Sequence, residues 1–358
     1  MSHAIGPDDI EAQARARLPE PVWSWLSGGA ADEISLRGNR AAWEALALWP
    51  SVLRPLRGAH TRSMLLGREL ATPLLLAPAA YQRLLHPLGE AGSALAAATQ
   101  GAGVVLSGMT SVALEEVARH VRDEPGRGPL WFQLYLSGDR GFDRALVDRA
   151  RAAGFEALVL TVDAPVQGPR ERERRAGFRI PAGIAAVHYD DRPVPAVSPG
   201  ALCGGLVEHA PTWDDVAWLR DAAGLPLLLK GVLRADDARR ARALGVAGLI
   251  VSNHGGRTLD TVTPTAVALP RIADALGGTL PLLVDGGIRR GTDVLKALAL
   301  GASAVLVGRS ALFAYAAGGP QALAQALRRL RDELEIALAL CGCARLEEVS
   351  RTLLDASQ

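Results

Sequence analysis

The sequence predicts an α/β protein that folds as a (β/α)8 TIM barrel, with an N-terminal helical extension and a long lid after the fourth strand. Three observations lead to this prediction. Eight short apolar runs alternate with amphipathic stretches, nearly every run ends in polar residues, and several amphipathic stretches are followed by glycine. Parallel strands that are covered by helices on both faces have this continuous apolar composition. No long linker divides the 358 residues, so we expect a single domain.

The predicted strands follow an extension of residues 1–70. They cover residues 74–79, 104–107, 131–135, 157–162, 227–230, 248–252, 280–285 and 304–308. The predicted helices cover residues 90–100, 111–120, 139–153, 213–223, 235–244, 265–276 and 292–300, with a terminal helix near 320–340. Left-handed C-caps are expected at Gly101, Gly154, Gly224, Gly245 and Gly301. An open doubly wound sheet is the alternative, but it would normally have fewer strands.

Composition excludes several classes of protein. Lys and Arg total 39 against 38 Asp and Glu, so the net charge of +1 gives no footprint for nucleic acid or an anionic membrane. The three cysteines, Cys203, Cys341 and Cys343, are too few for a disulfide framework, and no zinc-type ligand spacing occurs. The N-terminus has no apolar run typical of a signal peptide. We therefore predict a cytoplasmic protein without a metal or a membrane segment.

The residues at the strand ends predict where the active site lies. Active sites of such barrels form at the carboxyl ends of the strands. The residues at or just past these ends are Ala79, Ser107, Gln133, Tyr135, Thr161, Asp163, Lys230, Ser252, His254, Asp285, Gly308 and Arg309. The segment 165–212 interrupts the alternation and is rich in Pro, Gly and Arg, which favours a functional lid. The segment starts beside a strand end, so its Arg170 is a candidate to point into the site.

Two glycine-rich segments predict a phosphate site. Asp285, Gly286 and Gly287 lead to Arg289 and a helix, and Gly308 precedes Arg309 at the last strand. Loops after strands seven and eight form the recurrent phosphate site of this architecture, because backbone N–H groups and a helix dipole face the anion. The two arginines can add bidentate bonds. Glycines that serve only as turns are the alternative.

The segment SNHGGRTLD (252–260) predicts acid–base chemistry next to a carboxylate. His254 and Arg257 follow a buried strand, and two glycines between them allow both side chains to face inward. A guanidinium recognises a carboxylate, and a neighbouring imidazole can take a proton. Asp163 can stabilise the imidazolium, and Lys230 can stabilise developing negative charge. These parts suit oxidation alpha to a carboxylate, with electrons passed to a phosphate-bearing cofactor.

With LLLKGV (227–232) before it and LVDGGIRRGTDVLKALALGA (283–302) after it, this segment closely resembles the FMN-dependent 2-hydroxy acid oxidases and dehydrogenases. The resemblance extends to LPEPVWSWLSGGAADE (18–33), LLAPAAYQRLLHPLGE (75–90), FQLY (132–135), LTVDAP (160–165) and VGR (307–309). It implies oxidation of an L-2-hydroxy acid to the 2-oxo acid, with FMN as cofactor. O2, giving H2O2, or another compound would accept the electrons. It also implies a homo-oligomer, a tetramer or an octamer.

The resemblance also implies a role for each matching residue. His254 would be the base, with Asp163 as its partner. Arg257 and Arg170 would bind the substrate carboxylate, and Tyr135 would hydrogen-bond the substrate. Lys230 would lie near N1 and O2 of the flavin and stabilise its reduced anion. The remaining flavin, ribityl and phosphate contacts would come from Ala79, Ala80, Ser107, Gln133, Thr161, Ser252, Asp285, Gly286, Gly287, Arg289, Gly308 and Arg309. Whether His254 takes the α-proton or the hydroxyl proton stays open.

Two positions depart from the family pattern. Trp25 stands where many members have a carboxylate-binding Tyr, and Met109 stands where glycolate oxidase has a Trp that lines the pocket. An indole N–H can donate a hydrogen bond but cannot accept one, and Met is apolar and adaptable. Tyr81 is a further candidate for the pocket. We therefore expect a larger 2-hydroxy acid substrate, aromatic acids included.

Two other functions stay open on the sequence. A flavin-free aldolase would use the same phosphate loops, with Lys230 as the Schiff-base residue. It leaves His254, Arg257 and Asp163 without a role. A non-catalytic scaffold is the second alternative, although every polar residue of the expected site is present.

Overall fold

A closed barrel of eight parallel strands forms the centre of the molecule. The computed structural model describes residues 6–189 and 201–355. The barrel strands are β3 (Leu74–Leu76), β4 (Gly103–Ser107), β5 (Leu130–Leu134), β6 (Ala157–Thr161), β7 (Leu227–Val232), β8 (Gly248–Val251), β9 (Leu282–Val284) and β10 (Ala304–Val307). Each strand pairs with the next in sequence, and β10 closes the barrel on β3. The predicted TIM barrel is confirmed.

Helices surround this barrel. They are α4 (Gly89–Ala98), α5 (Leu114–Val121), α6 (Arg140–Ala152), α7 (Glu171–Arg175), α8 (Trp213–Ala223), α9 (Ala235–Ala243), α10 (Thr265–Leu276), α11 (Gly291–Ala299) and α12 (Arg309–Leu340). The five glycines that were expected as C-caps all have positive φ values, between 62° and 105°. Predicted and observed boundaries differ mainly in α12, which begins eleven residues before the predicted terminal helix. It is interrupted by non-helical backbone at Gly318 and Gly319, just before Pro320.

The N-terminal extension contains three helices and a hairpin. The helices are α1 (Pro7–Arg17), α2 (Glu20–Ser27) and α3 (Ile34–Ala45). The hairpin, β1 (Ser63–Leu65) and β2 (Arg68–Leu70), was not predicted, because three residues per strand are too few to show an alternating pattern. Its Leu65 and Leu70 belong to the same buried cluster as the inward-facing barrel side chains. Since Arg68 pairs with Glu156, directly before β6, the hairpin covers the amino-terminal end of the barrel.

The connection from β6 to α8 is the longest between barrel strands. It contains α7 and a 3-10 stretch, Leu202–His209. Part of the lid predicted at 165–212, residues 190–200, lies outside the described residues. The end of the described part docks on the loop after β4, where Val187 N donates to Thr110 O at 3.1 Å. The lid segment thus lies against the loop that carries Met109.

None of the helices in the described ranges combines the length and apolarity needed to cross a bilayer.

Candidate active site

Polar side chains from successive strands meet at the carboxyl end of the barrel. Because all eight strands are parallel, their carboxyl ends share one rim. The side chains at this rim are buried, although they are polar. They are Ser107, Gln133, Thr161, Lys230, Ser252 and Asp285, each at most 7% exposed. A buried polar cluster of this kind predicts a binding site rather than a packing core.

A histidine–aspartate pair lies at the centre of this cluster. His254 Nδ1 is 2.9 Å from Oδ1 of Asp163, which follows β6. His254 itself has a left-handed backbone, with φ of 56°, and its N–H donates to Ser252 Oγ at 3.0 Å. The Nδ1 contact to the carboxylate fixes the ring, and no hydrogen bond to Nε2 occurs within the described ranges. Nε2 is therefore the nitrogen available to a substrate.

A glycine in β7 makes this pair possible. The β7–β8 register shifts between Lys230 and Val232, so the strand has a bulge there. Gly231 has φ of 114°, and a Cβ at this position would lie 2.5 Å from Asp163 Cβ. The absence of a side chain at Gly231 therefore lets Asp163 approach β7. This role of Gly231 was not predicted, although an isolated glycine in a strand pattern indicates a bulge.

The surroundings of the pair set its protonation. Burial, and then the charge of Lys230, hold the pKa of His254 below its ordinary value, despite the opposing effect of Asp163. Burial alone would raise the pKa of Asp163, but the His254 hydrogen bond and the Lys230 charge outweigh it and lower that pKa. The resting arrangement is a neutral imidazole beside an ionised carboxylate. This is the protonation state that a general base requires.

Lys230 is a buried cation. Its Nζ lies 3.3 Å from Asp285 Oδ2 and donates to Ser252 Oγ at 3.0 Å. Burial would lower the pKa of Lys230, but Asp285 and Asp163 outweigh burial and raise it. Lys230 therefore stays protonated at the rim.

Two arginines predicted to bind the substrate carboxylate, Arg257 and Arg170, are linked through one carboxylate. Arg257 Nη1 donates to Trp25 O at 2.6 Å and to Gly28 O at 2.8 Å. Glu173 lies between the two arginines, 3.6 Å from Arg170 Nη1 and 3.8 Å from Arg257 Nη2. Arg170 Nε is buried and has no partner among the described residues. Glu173 was not predicted as a site residue, because in the sequence it stands in a run of charged residues that is typical of an exposed surface.

Aromatic side chains form one wall near these arginines. The Trp25 ring is stacked on Phe178, with centroids 5.6 Å apart, and Arg257 lies 5.8 Å from the Trp25 ring. Phe178, just past α7, was not predicted as a site residue. Met109 and Tyr81 lie on adjacent loops, where Tyr81 N donates to Met109 O at 3.2 Å. Burial raises the pKa of Tyr135, which keeps its phenol protonated.

The predicted phosphate loops adopt the conformation that their glycines allow. Gly286 and Gly287 have φ of 88° and 90°. The two arginine side chains, however, contact protein groups. Arg289 Nη2 is 2.8 Å from Glu11, and Arg309 Nη1 donates to Gly255 O at 2.8 Å. Arg309 also donates to the carbonyl oxygens of Leu26 and Gly28 at the end of α2.

The residues present fit a flavin. Gln133 Nε2 and Asp285 Oδ1 are buried at the rim, and neither has a hydrogen-bond partner in the described part of the chain. Buried polar atoms without partners are rare, and an absent ligand is one explanation for them. The protonated Lys230 adds a fixed positive charge next to Asp285. The flavin ring has amide groups that can pair with these two atoms of Gln133 and Asp285. It also has an edge that becomes negatively charged on reduction, which suits the charge of Lys230.

Comparison with known proteins agrees with this interpretation. A sequence profile described as FMN-dependent dehydrogenase matches residues 14–356. The chain belongs to the FMN-dependent dehydrogenase family. Membership in this family makes the chain an enzyme with FMN as its cofactor.

Individual members of the FMN-dependent dehydrogenase family align over nearly the whole chain. An L-lactate oxidase from Roseobacter sp. (strain GAI101) is 46% identical over 351 residues, which are 97% of this chain and 93% of the relative. Glycolate oxidase 3 from Arabidopsis thaliana is 40% identical and covers 96% of this chain and 94% of its own length. A crystal structure of mandelate oxidase with (S)-2-phenylpropionate superposes with a TM-score of 0.89 at 41% identity, covering 99% of this chain and 98% of that chain.

Proposed function

We propose that this FMN-dependent enzyme oxidises an L-2-hydroxy acid to the 2-oxo acid, with His254 as the base. The observation that carries the proposal is the His254–Asp163 contact of 2.9 Å, which orients a neutral imidazole and leaves its Nε2 available to a substrate. The similarity to lactate, glycolate and mandelate oxidases supports this substrate class. In this oxidation the substrate loses two electrons and two protons; bound FMN would supply the acceptor for both electrons and one proton, and His254 for the other proton.

The protein's own groups account for the proton and the carboxylate. His254 Nε2 takes one substrate proton, and the ionised Asp163 stabilises the imidazolium that forms. Arg257 and Arg170 bind the substrate carboxylate, and the unpartnered Nε of Arg170 is a donor suited to it. Tyr135, with its protonated phenol, donates to a substrate oxygen.

The remaining rim residues hold the cofactor. Lys230 offers positive charge where the ring gains electrons, and Gln133 and Asp285 supply hydrogen bonds from atoms that have no partner within the described chain. Other contacts come from residues on the same rim and its loops: Ala79, Ala80, Ser107, Thr161, Ser252, Gly286, Gly287, Arg289, Gly308 and Arg309. Since the side chains of Arg289 and Arg309 make protein contacts, backbone N–H groups of these loops are the expected phosphate donors, apart from those of Arg289 and Arg290, which Asp293 binds.

Anaerobic mixing of the yellow holoprotein with 2-hydroxy acids tests the proposal. We expect the flavin absorbance to bleach with the L-isomer, and we expect His254→Asn to slow bleaching by at least 10³-fold, in the range known for removal of a catalytic base. The Asn side chain retains a similar size, so FMN content serves as the control. Bleaching at the wild-type rate by His254→Asn would refute the assignment.

We propose that the substrate is larger than glycolate, with Trp25 and Met109 as substrate-binding residues. The stacked Trp25 and Phe178 rings offer an apolar wall, and Trp25 replaces a phenol with an indole. Comparison of kcat/KM for glycolate, L-lactate and (S)-mandelate decides this question. Preference for mandelate supports the proposal, and preference for glycolate contradicts it.

We propose O2 as the electron acceptor, with H2O2 as the product. The oxidases among the similar proteins support this choice. Stoichiometric peroxide with substrate consumed in air is the expected result. Reduction of an artificial dye without peroxide would point to another acceptor.

The aldolase alternative is less consistent with Lys230. A Schiff-base lysine requires a neutral amine, which usually has a lowered pKa. Here, Asp285 and Asp163 raise the pKa of Lys230 despite burial. A covalent adduct between Lys230 and a carbonyl substrate, trapped by borohydride, would be the evidence for the aldolase.

We further propose a single catalytic domain, in which the described parts of the predicted lid, residues 165–189 and 201–212, cover the site. We also propose that the protein is cytoplasmic and forms a homo-oligomer, either a tetramer or an octamer. The three free cysteines support a reducing compartment, and the exposed side chains of Trp49, Val52 and Leu53 support contact between subunits. Light scattering of the purified protein measures the oligomeric state.

A further inference from the structure

Helix α3 of the N-terminal extension contacts both functional loops of the barrel. These are the catalytic loop, residues 252–257, and the phosphate loop, residues 285–290. A Cβ on Gly256 would lie 2.6 Å from Leu36 N, and a Cβ on Gly287 would lie 2.8 Å from Asn39 O. The backbone of α3 therefore packs directly on both loops, although more than 200 residues of sequence separate them.

The catalytic loop has a conformation that needs external support. His254, Gly255 and Gly256 are three consecutive residues with positive φ, at 56°, 62° and 72°. The left-handed region is unfavourable for a histidine, so local preference alone would not hold this turn. Bonds within the loop, from His254 N to Ser252 Oγ and from Gly256 N to Asn253 O, are therefore supplemented by bonds from outside it.

Asn39 supplies such bonds through a reciprocal amide pair. Asn39 Nδ2 donates to Asn253 Oδ1 at 2.8 Å, and Asn253 Nδ2 donates to Asn39 Oδ1 at 2.8 Å. Both side chains are buried, at 1% and 2% exposure. Asn253 Oδ1 also accepts from Gly256 N at 3.2 Å. The pair thus connects α3 to both ends of the left-handed turn that carries His254.

Arg40, the next residue, holds the other loop. Its Nη1 donates to Gly287 O at 2.8 Å, and its guanidinium forms two bonds with the Asp293 carboxylate. Asp293 Oδ2 in turn accepts from the backbone N–H groups of Arg289 and Arg290, each at 2.9 Å. A bidentate pair, in which the carboxylate is buried and the guanidinium partly exposed, therefore fixes the backbone of the phosphate loop.

We propose that Asn39 and Arg40 are positioning residues with different main effects: Asn39, which bonds Asn253 and also accepts from Thr265 N, chiefly sets the catalytic loop, and Arg40 sets the phosphate loop. The inference rests on the proposed function, because it takes His254 as the base. Neither residue is assigned a contact with substrate or cofactor. Adjacent residues of one helix thereby keep the base and the cofactor anchor in a fixed relation.

Two measurements separate the two effects. FMN affinity is measured by fluorescence quenching as FMN is added to flavin-free protein, and kcat is measured at saturating FMN. Asn39→Ala should lower kcat at least tenfold and change the FMN Kd less than threefold, since a displacement of about 1 Å at a reacting group can cost 10²-fold. Arg40→Lys should weaken FMN binding at least tenfold and leave kcat at saturating FMN within threefold of wild type.

A double-mutant cycle tests the amide pair itself. If Asn39 acts through Asn253, the variant with both changed to Ala should lose no more kcat than Asn253→Ala alone. Asn39→Ser repeats the Asn39 test with a polar side chain should Asn39→Ala fold poorly. Arg37→Ala is the matched control, because Arg37 lies on the exposed side of α3 and contacts Asp32 O.

The outcomes decide between the inference and its alternatives. A fall in FMN affinity and kcat together, in both variants, would show that α3 is merely structural and would overturn the inference. Unchanged kcat in both Asn39 variants would overturn it as well. If the wild-type protein binds FMN but none of the 2-hydroxy acids bleaches its flavin, the proposed function is wrong. That result does not depend on the variants.

Discussion

The substitution Gly231→Ala tests whether the bulge in β7 positions the catalytic pair. The new Cβ would lie 2.5 Å from Asp163 Cβ, whereas ordinary carbon contacts begin near 3.5 Å. Asp163 would therefore move by about 1 Å, and the 2.9 Å contact with His254 Nδ1 would exceed hydrogen-bond length. A 1 Å error at a catalytic group costs roughly 100-fold in rate. We expect kcat to fall by about this factor.

A second glycine provides the control for backbone strain. Gly154 also has positive φ, at 92°, but a Cβ there would meet no atom within 4 Å. Both alanine variants should lose about 1–2 kcal/mol of unfolding free energy from the unfavourable φ, and Gly231→Ala about 1–3 kcal/mol more from overpacking. Stopped-flow flavin reduction and thermal unfolding measure the two effects. A Gly231→Ala rate within threefold of the Gly154→Ala rate would refute the reasoning.

Three further predictions concern pH and specificity. Since burial and Lys230 lower the pKa of His254, kcat/KM should begin to fall only below about pH 6.5, the ordinary histidine value. Lys230→Met should move this acidic limb to higher pH and Asp163→Asn to lower pH, and a pH profile with unmoved limbs would contradict the assignment. Trp25→Tyr should raise kcat/KM for glycolate by roughly tenfold, the value of one hydrogen bond to a charged group; an unchanged value would show that the side chain of residue 25 does not bind the substrate carboxylate. Burial, followed by the Arg149 charge, lowers the pKa of His188 to about 4, so the unfolded chain binds more protons between about pH 6.5 and 4 and stability should fall as pH decreases through that window. His188→Gln should remove this slope from the melting temperature between pH 7 and 5, and an equal slope in both proteins would argue against it.

Sequence reasoning reached the barrel because the strands and helices are defined by local patterns. The runs that became β3 to β10 are short and apolar, and the glycines after several helices adopt the expected left-handed backbone. It missed the β1–β2 hairpin, whose strands are too short for a pattern. It also placed the start of the last helix late, because Gly318, Gly319 and Pro320 resemble a helix boundary rather than an interruption.

The sequence by itself determined which chemical groups stand at the strand ends, because a parallel barrel brings every carboxyl end to one rim. His254, Asp163 and Lys230 were predicted in this way; His254 Nδ1 lies 2.9 Å from Asp163 Oδ1, and the charge of Lys230 acts on the pKa of both groups. Only the tertiary structure decided how those groups are held. The Asn39–Asn253 pair spans 214 positions, and Phe178 stacks on Trp25 from the lid. Contacts between residues so far apart leave no periodic signal in one sequence, because their partners are chosen by the packing of whole elements.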